Sequence, residues 1–227
     1  MKTITINSNE VLTEIEQRKL QTEIIETLKS TGRPGIGKLI SYMEESGYFE
    51  APASSNYHSN FKGGLAYHSN LVKENLMSAK SKYDLDITYD EIIIASYCHD
   101  LCKMNFYEDG YTLDKNAEGK WVARRKYVIN EEHVFGHGEK SALLASRFIE
   151  LTTAETYMIL YHMGRAACVD GRQFDKAVAK CPSIIAMCHA DEAAAMLQEA
   201  TYVNEKEYPT KLYNDYMLSK KKGVEVK

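Results

Sequence analysis

The sequence predicts an all-α fold, a helical bundle with one β-hairpin inserted near residues 107–129. Apolar residues recur at helical spacing over most of the 227 positions. Glycine and proline residues interrupt that spacing at a few places, which divides the chain into several helices. One segment, 107–130, instead combines aromatic and β-branched residues with a turn sequence at 116–119, as a hairpin does.

Two helices are predicted in the N-terminal part of the chain. Over 11–30 the apolar residues follow helical spacing, and the glycine- and proline-containing stretch 31–35 ends the pattern. A second, shorter helix is predicted over 36–46. The stretch 51–64 contains a proline, several serines and a glycine pair, so we expect a loop there.

The next two predicted helices carry candidate functional residues. The helix over 65–82 has an apolar inner face, and His68 lies on that face. Asp90 is expected to cap the following helix, which is apolar on nearly every side. His99 and Asp100 come near the end of that helix.

Helical spacing resumes after the hairpin. Helices are predicted over 138–151, 153–162 and 181–202. From Ser219 onward the lysine-rich end of the chain is predicted to fray.

Bulk properties narrow the class of protein. A net charge of -4 gives no overall attraction for nucleic acid, although a local basic groove can still bind a strand. The longest apolar runs are far too short to cross a bilayer, and residues 1–9 lack the apolar core of a signal peptide, so we expect a cytoplasmic protein without a membrane partner. The five cysteines include no CxxC pair, which argues against a disulfide framework and a thiolate zinc site.

Metal-binding types of side chain occupy three helical positions where the pattern requires apolar residues. These positions are His68, the pair His99 and Asp100, and Asp191. Asp191 shares a helix face with apolar residues three, four and seven positions before it, so it points into the core. An unpaired carboxylate there costs several kcal/mol, and we therefore expect a positive partner.

Two further histidines extend this set. His137 and His162 each lie where a predicted helix begins or ends. His133 lies one turn before His137 and competes with it as a candidate ligand. Four imidazoles and two carboxylates form a mixed nitrogen and oxygen set that suits Mn, Fe, Co, Ni or Zn, and six ligands suffice for one or two divalent ions.

The arrangement Gly64-x-x-x-His68, His99-Asp100-x-x-Lys103 and a late Asp191 resembles the HD superfamily of metal-dependent phosphohydrolases, over about residues 54–195. The stretch 54–69 further resembles the HD domains of bacterial 3′-to-5′ exoribonucleases and of related bacterial and phage proteins. The resemblance implies a single HD-type domain over 1–227. N-terminal helices over 1–50 are expected to pack on a catalytic core over 51–205, and 206–227 is expected to be a C-terminal tail.

The resemblance also implies a set of metal ligands. One ion is held by His68, His99, Asp100 and Asp191, and in members with two ions the second is held by His137 and His162, with Asp100 bridging both. Cys102 departs from the family pattern, which has glycine at that position. We expect this change to affect packing and to leave the ligands untouched.

Roles in binding and catalysis are expected for four further residues. Lys103, Lys140 and Arg165 each follow a proposed ligand closely enough to contact a phosphate oxygen. His58, just before the glycine pair, is a candidate acid for the leaving group or a substrate contact. Asp100, Lys103 and His58 are thus the candidate catalytic residues.

The function expected from these residues is metal-dependent hydrolysis of a phosphate ester in a nucleotide, a cyclic nucleotide or an RNA 3′ end. The partner is then a phosphate-containing small molecule or a short nucleic-acid end. The same ligand pattern is also similar to that of the mixed-valent di-iron oxygenases of the HD superfamily. A third interpretation is a regulatory protein that binds a nucleotide without turning it over. The sequence leaves open the substrate, the metal and the oligomeric state.

Overall fold

The computed structural model describes residues 2–6, 11–130 and 135–224, and within these ranges the chain is mostly helical. The helices there are α1 (Glu14–Ser30), α2 (Ile36–Glu45), α3 (Gly64–Tyr83), α4 (Tyr89–Cys98), α5 (His137–Ser146), α6 (Thr153–Tyr161), α7 (Gly171–Lys180), α8 (Ser183–Ala193) and α9 (Thr210–Val224). The strands are β1 (Lys2–Ile6), β2 (Tyr107–Lys115), β3 (Trp121–Ile129) and β4 (Ala200–Asn204).

Threonine caps define where three of the helices begin. At the start of α4 the Thr88 side chain accepts a hydrogen bond from the Glu91 backbone, and the Glu91 side chain accepts one from the Thr88 backbone. Asp90 therefore lies in the first turn of α4, and the prediction that it caps this helix is wrong. The same capping box opens α1 and α6, at Thr13 with Glu16 and at Thr152 with Glu155.

Four helices form the centre of the fold. Helices α3, α4, α6 and α8 pack in a ring in which each contacts two of the others, while α1 packs against α3 and α4. The apolar side chains between them are buried, and each contributes about 1.5–3 kcal/mol relative to an exposed position. They include Leu65, Leu76, Ile92, Ile94, Met158, Ile159 and Met187.

Two small sheets lie beside this ring. Strands β2 and β3 form an antiparallel hairpin in which Tyr107 pairs with Ile129 and Lys115 pairs with Trp121, which confirms the predicted hairpin. Strand β1 pairs with β4 in parallel, from Lys2 with Ala200 onward. The C-terminal helix α9 packs on the hairpin.

Two predictions for the C-terminal part of the chain are wrong. The helix predicted over 181–202 ends at Ala193, passes through a π-helical turn at Ala194–Gln198 and becomes strand β4, because β1 supplies a pairing partner from the other end of the chain. The end of the chain predicted to fray from Ser219 is instead helical to Val224 as part of α9, whose Tyr216 packs against the hairpin and donates a hydrogen bond to Glu108. Helix α7 was not predicted.

Across the described ranges, no helix combines the length and the apolar character needed to cross a membrane.

Candidate metal centre

One end of the four-helix ring gathers histidine and aspartate side chains. His68 comes from the second turn of α3, and Asp191 comes from the last turn of α8. His99 and His162 are the residues that cap the C-termini of α4 and α6. Because each helix of the ring contributes one of these residues, the packing of the core fixes their relative positions.

Backbone carbonyls orient two of the imidazole rings. His99 Nδ1 donates to the Ser96 carbonyl at 2.7 Å, and His162 Nδ1 donates to the Ile159 carbonyl, also at 2.7 Å. Each bond places the proton on Nδ1 and leaves the Nε2 lone pair directed into the cluster. This is the arrangement by which outer hydrogen bonds orient histidine ligands of metal ions.

A carboxylate orients the third ring. His68 Nδ1 donates to Glu199 Oε1 at 2.6 Å, and His58 Nδ1 donates to Glu199 Oε2 at 2.9 Å. Glu199 follows the π-helical turn directly, and its backbone N–H donates to the Ala194 carbonyl. The buried Glu199 thus holds His68 and His58 together.

The inward-facing atoms are spaced as ligands of one ion would be. His68 Nε2 lies 3.2 Å from His99 Nε2 and 3.1 Å from Asp191 Oδ1. His99 Nε2 lies 3.3 Å from Asp100 Oδ2. Two donors that are each about 2.1 Å from a common ion lie about 3–3.5 Å apart at tetrahedral or octahedral angles. We call His68, Asp191 and Glu199 the His68 end of the cluster.

The opposite side of Asp100 faces a different group of side chains. Asp100 Oδ1 lies 3.7 Å from His162 Nε2, and these two buried atoms have no hydrogen-bond partner among the described residues. Cys102 Sγ lies 3.3 Å from His137 Nδ1, and donor atoms of Asp100, Cys102 and His137 all lie within 4.8 Å of one another. We call His162, His137, Cys102 and Asp100 Oδ1 the His162 end.

The two carboxylates at the His68 end, Asp191 and Glu199, require a positive partner. Burial would lower the pKa of His68, but hydrogen bonds to Asp191 and Glu199 outweigh it and raise that pKa to about 10. Burial would raise the pKa of Asp191, but its hydrogen bond to His68 lowers that pKa instead. Burial would also raise the pKa of Glu199, but its hydrogen bonds to His58 and His68 lower that pKa to about 2. In the absence of an ion, a proton on His68 supplies the positive charge.

Lys103 compensates part of the charge of Asp100. Its Nζ lies 2.7 Å from Asp100 Oδ2, and its side chain is only 12% exposed. Burial would raise the pKa of Asp100, but the charges of Lys103 and His99 hold it well below its usual range. Burial lowers the pKa of His162, so its imidazole is neutral and able to act as a ligand. Burial raises the pKa of the Cys102 thiol to about 12.

Two glycines permit the close contacts that build the cluster. A Cβ atom on Gly64 would lie 1.9 Å from the Ser59 carbonyl oxygen, so glycine lets α3 approach the loop that carries His58. A Cβ atom on Gly138 would lie 2.2 Å from the Leu160 carbonyl oxygen, so glycine lets α5 approach α6. The second contact brings His137 to the cluster.

The structure therefore places all six predicted ligands in one cluster, and buried groups of histidine and carboxylate side chains in it can hold a metal ion.

The predicted substrate-binding residues lie at different distances from this cluster. Lys140 lies nearby, with its Nζ 5.6 Å from the centre of the Phe106 ring, which contacts His137. Arg165 lies on the surface and forms a two-bond ion pair with Asp175. The competing candidate His133 lies outside the described residues.

Sequence reasoning missed two residues of the cluster. Helical spacing places Glu199 in a continuous helix, and the signal that identifies it is an acidic residue that closely follows the small and apolar residues 193–197. Cys102 was expected to affect packing alone. Its place two residues after Asp100, where the resembling family has glycine, was the available signal.

The comparisons with known proteins add no assignment. No family model, no curated protein and no solved structure matches this chain.

Proposed function

We propose that this protein is a metal-dependent phosphohydrolase of the HD type, which cleaves a phosphate ester in a nucleotide, a cyclic nucleotide or an RNA 3′ end. One observation carries the proposal. Histidine and aspartate side chains from four separate helices converge with neighbouring donor atoms 3.1–3.7 Å apart, and outer hydrogen bonds direct the histidine nitrogens inward.

The residues divide between two positions for an ion. His68, His99, Asp191 and Asp100 Oδ2 surround the first, and Asp100 Oδ1, His162 and His137 border the second. Divalent ions held there would lower the pKa of a bound water and neutralise charge on the phosphoryl group. Asp100, with one oxygen toward each position, is the residue that links the two.

Basic side chains next to the ligands select an anionic substrate. Lys103, held against Asp100, is positioned to donate to a phosphate oxygen. Lys140 lies beside Phe106, whose ring contacts His137, and supplies a second positive charge near the His162 end. His58 uses Nδ1 to donate to Glu199, so its Nε2 is the nitrogen that can deliver a proton to the leaving oxygen.

Hydrolysis of bis-p-nitrophenyl phosphate by the purified protein with Mn²⁺ tests the proposal. The double variant His99→Ala/Asp100→Ala should lose this activity, because it removes ligands from both positions. His189→Ala is the matched control, since His189 is an exposed histidine two residues before Asp191 and should retain full activity.

A panel of nucleotides, cyclic nucleotides and short RNAs would then identify the substrate class. Equal activity in the wild type and in the double variant would overturn the proposal. Tight nucleotide binding by calorimetry without any product would instead identify a regulatory nucleotide-binding protein.

A further inference from the structure

A sulfur atom lies at the His162 end of the cluster. Cys102 is buried in the short turn Leu101–Lys103, where its backbone N–H donates to Ser141 Oγ at 3.1 Å. This bond ties the turn to α5, the helix that begins with His137. Cys102 Sγ consequently lies 3.3 Å from His137 Nδ1.

Two neighbouring atoms independently indicate a missing positive partner. Asp100 is 3% exposed and His162 is 2% exposed, yet Asp100 Oδ1 and His162 Nε2 have no hydrogen-bond partner within the described ranges. Leaving a buried polar atom unpaired costs about 1–3 kcal/mol, and more for a charged group. A cation between them satisfies both atoms at once.

We propose that Cys102 is a ligand of the second ion, as a thiolate, together with Asp100, His137 and His162. The inference rests on the proposed function, because it assumes that the cluster binds divalent ions. A sulfur about 2.3 Å and a nitrogen about 2.1 Å from one ion lie about 3.1–3.6 Å apart, and the observed 3.3 Å falls in this range. When the ion binds, the metal–sulfur bond replaces the S–H bond and the proton leaves to solvent.

The thiolate changes which metal the second position selects. Sulfur ligands favour Zn²⁺, Fe²⁺ and Co²⁺ over Mn²⁺ and Mg²⁺, which prefer oxygen. The first position, with imidazole and carboxylate donors alone, lacks this bias. The two positions are therefore expected to fill with different metals from a mixture.

Titration of the ion-free protein with Co²⁺ tests this assignment. Thiolate ligands give Co²⁺ a charge-transfer band in the near ultraviolet, so the wild type should develop the band as the second position fills. Cys102→Ser should lose the band and bind Co²⁺ at the second position at least about tenfold more weakly. Tenfold is the lower end of the loss that follows removal of an outer partner of a ligand, and Cys102 is proposed as a ligand itself. Cys102→Gly, which restores the family's residue, should behave in the same way.

Cys181→Ser is the matched control, because Cys181 lies at the end of α7 and is outside the cluster. It should keep both the band and the affinity. Circular dichroism of the ion-free variants shows whether each is folded, and two different Cys102 variants keep the test decisive if one is not.

The outcomes separate this inference from the proposed function. A band that persists in folded Cys102→Ser, or two bound equivalents of Co²⁺ without any band, would overturn the role of Cys102 and leave the phosphohydrolase proposal intact. A wild type that binds no Co²⁺ would overturn both.

Discussion

The two ends of the cluster satisfy their polar atoms in different ways. At the His68 end, His68 bonds Asp191 and Glu199, and Glu199 in turn bonds His58. At the His162 end, Asp100 Oδ1 and His162 Nε2 have no partner in the described part of the chain. The first end is complete with a proton on His68, whereas the second lacks a positive partner.

This difference indicates that the His162 end depends on a metal ion for its structure more than the His68 end does. A cluster that is closed by a proton stays ordered without an ion and exchanges the proton for the ion on binding. A cluster with unpaired buried atoms gains those contacts only when the ion arrives. The predictions below test this contrast, from the largest expected effect to the smallest.

Asp100→Asn should have the largest effect, because Asp100 contributes Oδ2 to the first ion position and Oδ1 to the second. The variant leaves the Lys103 ammonium, which is largely buried, without a carboxylate. Removing one partner of a buried ion pair costs about 3–5 kcal/mol, so the free energy of unfolding of the ion-free protein should fall by about this amount. Urea denaturation in the presence of a chelator measures it.

The double variant Asp100→Asn/Lys103→Met is the control for this prediction. It removes both charges and should recover much of the lost stability. If the single and double variants are equally unstable, the loss does not come from the unpaired Lys103.

Glu199→Gln should weaken the His68 end while leaving the His162 end unchanged. The substitution keeps the shape of the side chain but removes the charge that orients His68. We expect affinity for the equivalent of metal bound at the His68 end to fall by about 10–100-fold, the usual cost of losing an outer hydrogen-bond partner. Competition with a chromophoric chelator measures each equivalent separately.

Glu26→Gln on the exposed face of α1 is the matched control and should bind metal as the wild type does. A Glu199→Gln protein that loses affinity for the Co²⁺ equivalent that gives the thiolate band, instead of the one that does not, would contradict the division into two ends.

The four-helix part of the site could be predicted from local sequence. His68, His99 and Asp191 stand at positions where the helical pattern requires apolar residues, and buried polar groups at such positions need partners. The helices that carry them are formed by local hydrogen bonds and by periodic apolar faces, both of which are visible in a short window of sequence. The same is true of the hairpin over β2 and β3, whose turn and strand residues are adjacent.

The position of Glu199 could not be predicted in this way. It depends on β4, whose pairing partner β1 lies almost two hundred residues earlier in the chain. Helical spacing in the residues before Glu199 favoured a longer helix, and the distant strand changed the outcome. Helix α9 was missed for a related reason, because its partner is the hairpin and the residues near its end are rich in lysine.

The pH dependence of stability should differ between the ion-free and metal-bound proteins. The pKa of His68 is raised from 6.5 to about 10 in the folded, ion-free state. Its stabilising contribution is therefore complete below pH 6.5 and is lost as the pH rises through about 10. The pKa of Glu199 is lowered from 4.5 to about 2, so its contribution is complete above pH 4.5 and is lost as the pH falls through about 2.

Urea denaturation over this range, with a chelator and with saturating Zn²⁺, measures the effect. The ion-free protein should be most stable between pH 4.5 and pH 6.5, while the stabilisation by Zn²⁺ should grow as the pH rises toward about 10, because a bound ion requires neutral His68. A parallel decline in both samples would show that His68 is not a ligand.

The smallest effects should separate Lys140 from Arg165, the two basic residues expected near the substrate. Lys140 is half-buried beside Phe106, whose ring contacts His137 at the His162 end. Arg165 is exposed and already paired with Asp175. Lys140→Ala should raise KM about tenfold, as expected for one charge-assisted hydrogen bond to substrate of about 1.5 kcal/mol. Arg165→Ala should leave KM near the wild-type value, since its guanidinium is exposed and already bonded to Asp175. Steady-state kinetics on the same diester measures both variants. A larger rise in KM for Arg165→Ala than for Lys140→Ala would mean that Arg165 leaves Asp175 when substrate binds, and that the substrate extends toward α7.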